Sequence, residues 1–131
     1  MNFERRRVLL ADDDVEMRGV VRHVLEALGL EVREASSGVA LLSCLAEESD
    51  FDLVVTDVRM PWVSGAQVVE MARAAGFDMP VLIMTAFADD GMRKSVQGIA
   101  GAQLLEKPFE MHELAMRTRS ILGIGALPDP S

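Results

Sequence analysis

Val8-Leu9-Leu10-Ala11 runs straight into Asp12-Asp13-Asp14, and Leu53-Val54-Val55-Thr56 ends on Asp57. In both places an apolar run stops on carboxylates. A continuous apolar run of roughly 4–8 residues marks a strand buried on both faces, as in a parallel sheet covered by helices on either side. Carboxylates at the ends of such strands stand on the rim of the sheet rather than in its core. Val81-Leu82-Ile83-Met84 is a third run of this kind, and further apolar stretches open at Leu30 and Leu104. Each interval between these starts leaves room for one strand and one helix.

Glu31-Val32-Arg33-Glu34-Ala35 carries charges between its apolar residues and reads as a strand near an edge, wet on one side. Strand–helix alternation with right-handed crossovers predicts an α/β fold. The expected architecture is a doubly wound five-stranded parallel sheet of flavodoxin-like order 2-1-3-4-5, helices on both faces. Met17, Val20, Val21, Val24, Leu25 and Leu28 form a stripe of helical period that Gly29 ends. The period recurs in Val68, Met71, Ala72 and Ala75, and in Met111, Leu114, Ala115, Thr118 and Leu122. Ser64 and Gln67 have capping-box spacing, so the third helix is expected to begin there. The fourth, over roughly 89–100, contains Gly91 and Gly98. At about 0.8–1.0 kcal/mol for each interior glycine, it is expected to be the least stable helix.

The chain has 131 residues, half of them hydrophobic, with 13 basic and 21 acidic side chains and a net charge of −8. That suits one domain with a proper core, over residues 1–122, followed by a tail or the start of a linker at 123–131. No apolar stretch approaches the roughly 20 residues that cross a bilayer, and no signal-peptide pattern follows Arg5-Arg6-Arg7. A cytoplasmic protein with no membrane contact is expected. Cys44, the single cysteine, permits no internal disulfide and reads as a small core residue. The negative charge repels nucleic-acid backbones, so no nucleic acid is expected to bind this domain itself.

In a doubly wound sheet, ligands sit beyond the carboxyl ends of the strands where the strand order reverses, here between strands one and three. Asp12, Asp13, Asp14 and Asp57 fall at that place. Oxygen ligands crowded together suit a hard cation such as Mg²⁺. Thr85 at the end of strand four adds a hydroxyl, and Lys107 after strand five adds an ammonium. Carboxylates, metal, hydroxyl and ammonium on one rim suit phosphoryl transfer, with a carboxylate as nucleophile.

Leu10-Ala11-Asp12-Asp13-Asp14, Thr56-Asp57-Val58-Arg59-Met60-Pro61, Met84-Thr85-Ala86 and Glu106-Lys107-Pro108-Phe109 occur in this order. Together they resemble the receiver domains of two-component response regulators (CheY-like), from about Arg7 to Leu122. The resemblance implies that Asp57 accepts a phosphoryl group from a histidine kinase or histidine phosphotransfer protein of a phosphorelay. It implies that Asp13, Asp57 and the Arg59 carbonyl ligate Mg²⁺ while Asp12 holds a metal-bound water. Lys107 and Thr85 would contact phosphoryl oxygens, and the peptide before Pro108 would be cis. Such a domain assists its own phosphorylation and dephosphorylation but is not a turnover enzyme. The face made by helix four, strand five and helix five is expected to meet the next partner or a second copy, as a homodimer.

Several positions depart from the family pattern. Leu104 stands where receivers usually carry Tyr or Phe, and the segment from Gly101 to Leu105 is one residue shorter than usual. Trp62 and Val63 follow the acceptor where small residues are common. Arg59 and Phe87 are bulky at positions that tune hydrolysis, so they are expected to obstruct the attacking water and prolong the phosphorylated state. Met17, Arg18 and Val21 are expected to offer a kinase-docking margin on the first helix. Two other classes remain open: an aspartate-nucleophile phosphatase of the haloacid dehalogenase type, and a receiver-like binding module that is not phosphorylated. The first normally needs an acid two residues after the nucleophile, where Arg59 stands. The second lacks at least one of the acceptor, acidic pair, threonine or lysine.

Overall fold

The computed structural model describes residues 5–48, 50–60, 65–86 and 88–124. Along the chain run β1 (Arg7–Ala11), α1 (Val15–Ala27), β2 (Glu31–Ala35), α2 (Gly38–Glu47), β3 (Leu53–Asp57) and α3 (Gly65–Ala74). There follow β4 (Val81–Thr85), α4 (Asp90–Gln97), β5 (Ala102–Glu106) and α5 (Met111–Leu122). The strands form one sheet of order β2-β1-β3-β4-β5, every neighbouring pair parallel, as the pattern of apolar runs predicts. The charged strand β2 lies at an edge and the continuous apolar runs β1, β3 and β4 fill the centre.

Side chains alternate across the sheet. Val8, Leu10, Leu53, Val55, Leu82, Met84 and Leu105 pack with Val21 and Leu25 of α1 and Leu114 and Leu122 of α5. Leu9, Ala11, Val54, Val81 and Ile83 face the other way, toward Leu41, Cys44 and Leu45 of α2, Val68, Val69 and Ala72 of α3, and Val96 of α4. Cys44 is a buried core residue, as expected. Leu82, fully buried in a central strand, is the kind of position where truncation to alanine removes about 2–5 kcal/mol.

Packing corrects three details. Val20 is 45% exposed and Met71 52%, so each lies at the margin of its stripe, while Val69 is buried in place of Met71. Gly98 is not inside α4 but caps it, its N–H reaching the Lys94 carbonyl, and Gly91 sits in the first turn, where amides lack intrahelical partners anyway. The interior-glycine penalty therefore does not apply in full. What holds α4 weakly is burial, since Val96 is its one buried residue. Gly101, at φ 75, makes the left-handed turn that delivers the chain into β5.

Ser64 of the expected capping box lies outside the described residues, as do Pro61, Trp62, Val63, Phe87 and residues 125–131 of the expected tail. Among the described residues no helix is long and apolar enough to cross a membrane.

Candidate functional site

Strand register brings the rim residues together. Ala11 pairs with Thr56, Asp57 with Met84 and Thr85 with Glu106, so Asp12, Asp57, Thr85 and Lys107 arrive within two residues of one another's level. Parity then sorts them. Val8 and Leu10, Leu53 and Val55, and Leu105 face α1 and α5; extending each alternation by two residues puts Asp12, Asp57 and Lys107 on that side. Thr85 shares its side with Val81 and Ile83, toward α4. A carboxylate cluster and a hydroxyl facing the weakly held helix are thus built from two faces of the same strand ends.

Asp12 is fully buried and Asp57 nearly so, while Asp13 is exposed. One oxygen from each of the three lies within 4.8 Å of the others, a group able to hold a metal ion. The Lys107 Nζ stands 3.5 Å from Asp57 Oδ2 and 3.9 Å from Asp12 Oδ2. Asp12 Oδ1 accepts the Asp14 N–H at 2.9 Å, but Asp12 Oδ2 has no hydrogen-bond partner. A buried carboxylate oxygen left bare is costly unless something fills the place. Burial, with the charges of Asp57 and Asp13, pushes the Asp12 carboxyl from its ordinary 3.8 up to about 6, against the opposing pull of the Asp14 amide and Lys107. The donor set is all oxygen, aimed from three carboxylates at one place, with the single Lys107 ammonium facing two of them. These residues fit a hard divalent cation.

Asp14 does not join the cluster. Its Oδ1 accepts the Glu16 and Met17 amides and caps α1. The Arg59 amide donates to Asp57 Oδ1 at 3.3 Å, so the residue after next steadies the aspartate through its backbone, and its side chain is exposed. Thr85 is buried at the end of β4, and the Lys107 amide donates to its carbonyl at 2.7 Å. The Lys107–Pro108 peptide is cis, as the motif implies. Despite the shorter segment before it, β5 keeps its register: Ile83 pairs with Leu104, which lies half-buried against the α4 side of the core.

The docking margin expected on α1 needs correction. Val21 is fully buried, and Arg18, with 16% of its side chain exposed, turns inward to the Asp12 carbonyl and Glu34. Packing against the sheet closes over both, and Val15, 69% exposed, is the apolar residue that α1 leaves open next to the acidic loop. One clue to Arg18 was present in the sequence. A cation near a helix N-terminus opposes the helix dipole and needs a partner nearby. Beside β5, an open cleft of about 710 Å³ is lined by Arg93, Val96, Leu104, Glu106, Lys107 and Arg117 among others, between α4 and α5.

Clustered aspartates thus stand at the switch point of a doubly wound sheet, with a lysine beyond the last strand. The model of the response regulator receiver domain matches residues 8–119, and the chain belongs to that family. It is 39% identical over 118 residues to the response regulator MprA of Mycobacterium sp. (strain KMS), covering 88% of this chain and 50% of that protein. With MprA of Mycobacterium ulcerans (strain Agy99) it shares 38% over 125 residues, 94% of this chain and 53% of that one. The chain therefore spans about half the length of these relatives. Among solved structures, a response regulator receiver domain protein from Clostridium thermocellum superposes with a TM-score of 0.81 at 27% identity, covering 90% of this chain and 94% of that one. The chemotaxis protein CheY4 of Vibrio cholerae gives 0.83 at 26%, covering 91% and 100%. The chain is a receiver domain of the two-component response-regulator type.

Proposed function

We propose that Asp57 accepts a phosphoryl group from a phosphohistidine, carried by a histidine kinase or histidine phosphotransfer protein. The observation that carries this reading is the convergence of Asp12, Asp13 and Asp57 within 4.8 Å, with the Lys107 ammonium 3.5 Å from the acceptor. A carboxylate oxygen of Asp57 attacks phosphorus, the O–P bond forms, and the N–P bond of the donor breaks. The imidazole leaves with the electron pair and takes a proton from solvent. Asp12, Asp13, Asp57 and the Arg59 carbonyl would hold Mg²⁺, which when bound offsets negative charge on the transferring oxygens. Lys107 supplies a second positive charge fixed in place before the reaction, so little reorganisation is needed. The domain takes up and loses one phosphoryl group per cycle and is not a turnover enzyme.

The signal travels by population shift. Thr85 faces α4, and a phosphoryl group on Asp57 bonded to the Thr85 hydroxyl and Lys107 favours one arrangement of the β4–α4 loop and β5 over another. Each 1.4 kcal/mol of differential contact changes the ratio of the two about tenfold. Helix α4, buried through Val96 alone, is the element with least to lose by moving. The α4/β5/α5 face, with its cleft, then meets an output partner or a second copy. Incubation with a labelled phosphohistidine donor and Mg²⁺ tests the assignment. Label stable to native gel and lost in Asp57→Asn is expected; continued release of inorganic phosphate with turnover, or label retained in Asp57→Asn, would overturn it.

A further inference from the structure

Arg18 joins the acidic loop to the edge strand. Its Nη1 donates to the Asp12 backbone carbonyl at 2.8 Å and its Nε to Glu34 Oε1 at 3.1 Å. The other Glu34 oxygen is held by Arg22, which also bonds Glu26. The Asp12 amide meanwhile donates to the Ala35 carbonyl at 3.1 Å. Both backbone groups of Asp12 are thereby tied, one to β2 directly and one through Arg18, and the Asp14 amide fixes one of its carboxylate oxygens. The remaining oxygen has no hydrogen-bond partner and faces the Lys107 ammonium at 3.9 Å. Three consecutive aspartates in one loop repel one another; the Asp14 amide on Asp12 Oδ1 and the Asp14 cap of α1 hold part of the loop, and Arg18 is what ties the Asp12 carbonyl. From this we infer that Arg18 is a positioning residue for cation binding: its guanidinium fork holds the Asp12 peptide so that the carboxylates of Asp12, Asp13 and Asp57 converge before the ion arrives.

The inference rests on the proposed metal site and adds a requirement to it. A ligand set held in its bound geometry loses less freedom on binding, and partners of that outer layer typically change metal affinity by about 10–100-fold. Arg18 grips the backbone rather than a ligating atom, which places the expected effect near the lower end, about tenfold. The spacing of the two acceptors selects arginine. A single lysine ammonium cannot reproduce a planar fork with one donor on a carbonyl and another on a carboxylate.

The test is calorimetric titration of the unphosphorylated protein with MgCl₂, which reads binding without any phosphoryl donor. Arg18→Met and Arg18→Lys are each expected to raise the Mg²⁺ Kd about tenfold. Arg22→Met, which breaks the same Glu34 network without touching Asp12, is expected to leave it within twofold of the unaltered protein. Arg18→Lys keeps the stem and the charge, so it keeps the question open should the methionine variant fold poorly. An unchanged Kd in Arg18→Lys overturns the inference, as does an equal loss in Arg22→Met. Slower transfer from a phosphohistidine protein at unchanged Mg²⁺ Kd would also overturn it and make Arg18 a docking residue. Absence of Mg²⁺ binding by the unaltered protein would remove this inference together with the metal site. Label persisting in Asp57→Asn would remove only the acceptor assignment, leaving the Mg²⁺ titrations to decide on Arg18.

Discussion

Replacing Asp12 by asparagine is expected to stabilise the metal-free protein while destroying its response to Mg²⁺. The carboxyl is fully buried, one oxygen lacks a hydrogen bond, and its pKa is pushed up from 3.8 to about 6. A displacement of that size corresponds to about 3 kcal/mol between the protonated and ionised forms. Its sign follows from proton binding. Between pH 3.8 and about 6 the folded protein holds a proton that the unfolded chain has lost, so this stabilisation is complete below 3.8 and gone above about 6. Asparagine never carries the charge. It keeps the acceptor for the Asp14 amide, and Lys107 retains Asp57 at 3.5 Å. That displacement already includes the attraction to Lys107; with part of it discounted for solvent screening, a gain of about 1–3 kcal/mol at pH 7.5 is expected, or roughly 4–12 °C in Tm for a domain of this size. Thermal unfolding of both proteins from pH 4 to 7.5, with chelator present, measures it. The gap should open between pH 4 and 6 and level off above. Mg²⁺ at 100 times its Kd should then raise the unaltered protein by about 2.7 kcal/mol and leave the variant where it was. A variant less stable than its parent at pH 7.5 without metal, or a gap independent of pH, would refute the reasoning.

Other expectations follow from single contacts. Lys107→Met removes the ammonium 3.5 Å from Asp57 and 3.9 Å from Asp12; Asp57 should then take up label far more slowly, at unchanged fold by circular dichroism, and the pH at which the Asp12 gap levels off should move upward. Arg93→Gln breaks the exposed pair to Glu106 at 2.9 Å, and urea unfolding should register no more than about 1 kcal/mol, less in high salt. Gly101→Ala forces a side chain into φ 75, with its Cβ 3.4 Å from Arg73 Nη2, and should lower stability by about 1–2 kcal/mol in the same assay. Arg59→Ala exposes the approach to Asp57, and the labelled protein should lose phosphate faster; an unchanged half-life would show that the side chain does not screen the attacking water.

The sequence by itself determined the strand types, their order and which residues gather on one rim. Unbroken apolar runs can be satisfied only between two helical layers, and the mixed charges of Glu31 to Ala35 only at an edge. Parallel strands end on one rim, so residues just past the runs, Asp12, Asp13, Asp57, Thr85 and Lys107, had to assemble there whatever the loops did. Tertiary structure decided what depends on neighbours remote in the chain. Asp12 and Asp13 are adjacent and chemically alike, yet one is buried with a bare oxygen and the other is exposed, because β2, β3 and Lys107 close around the first alone. Asp14 became a helix cap, Gly98 ended α4 instead of weakening it, and Val20 and Met71 fell outside the buried stripes. Arg18, on periodicity a surface residue at the edge of a helix, turned to the Asp12 carbonyl because packing α1 against the sheet brings a tied peptide and Glu34 within reach of one guanidinium. Periodicity reports which face is apolar; only the packed neighbours determine how far that face is covered and which polar groups are left to pair.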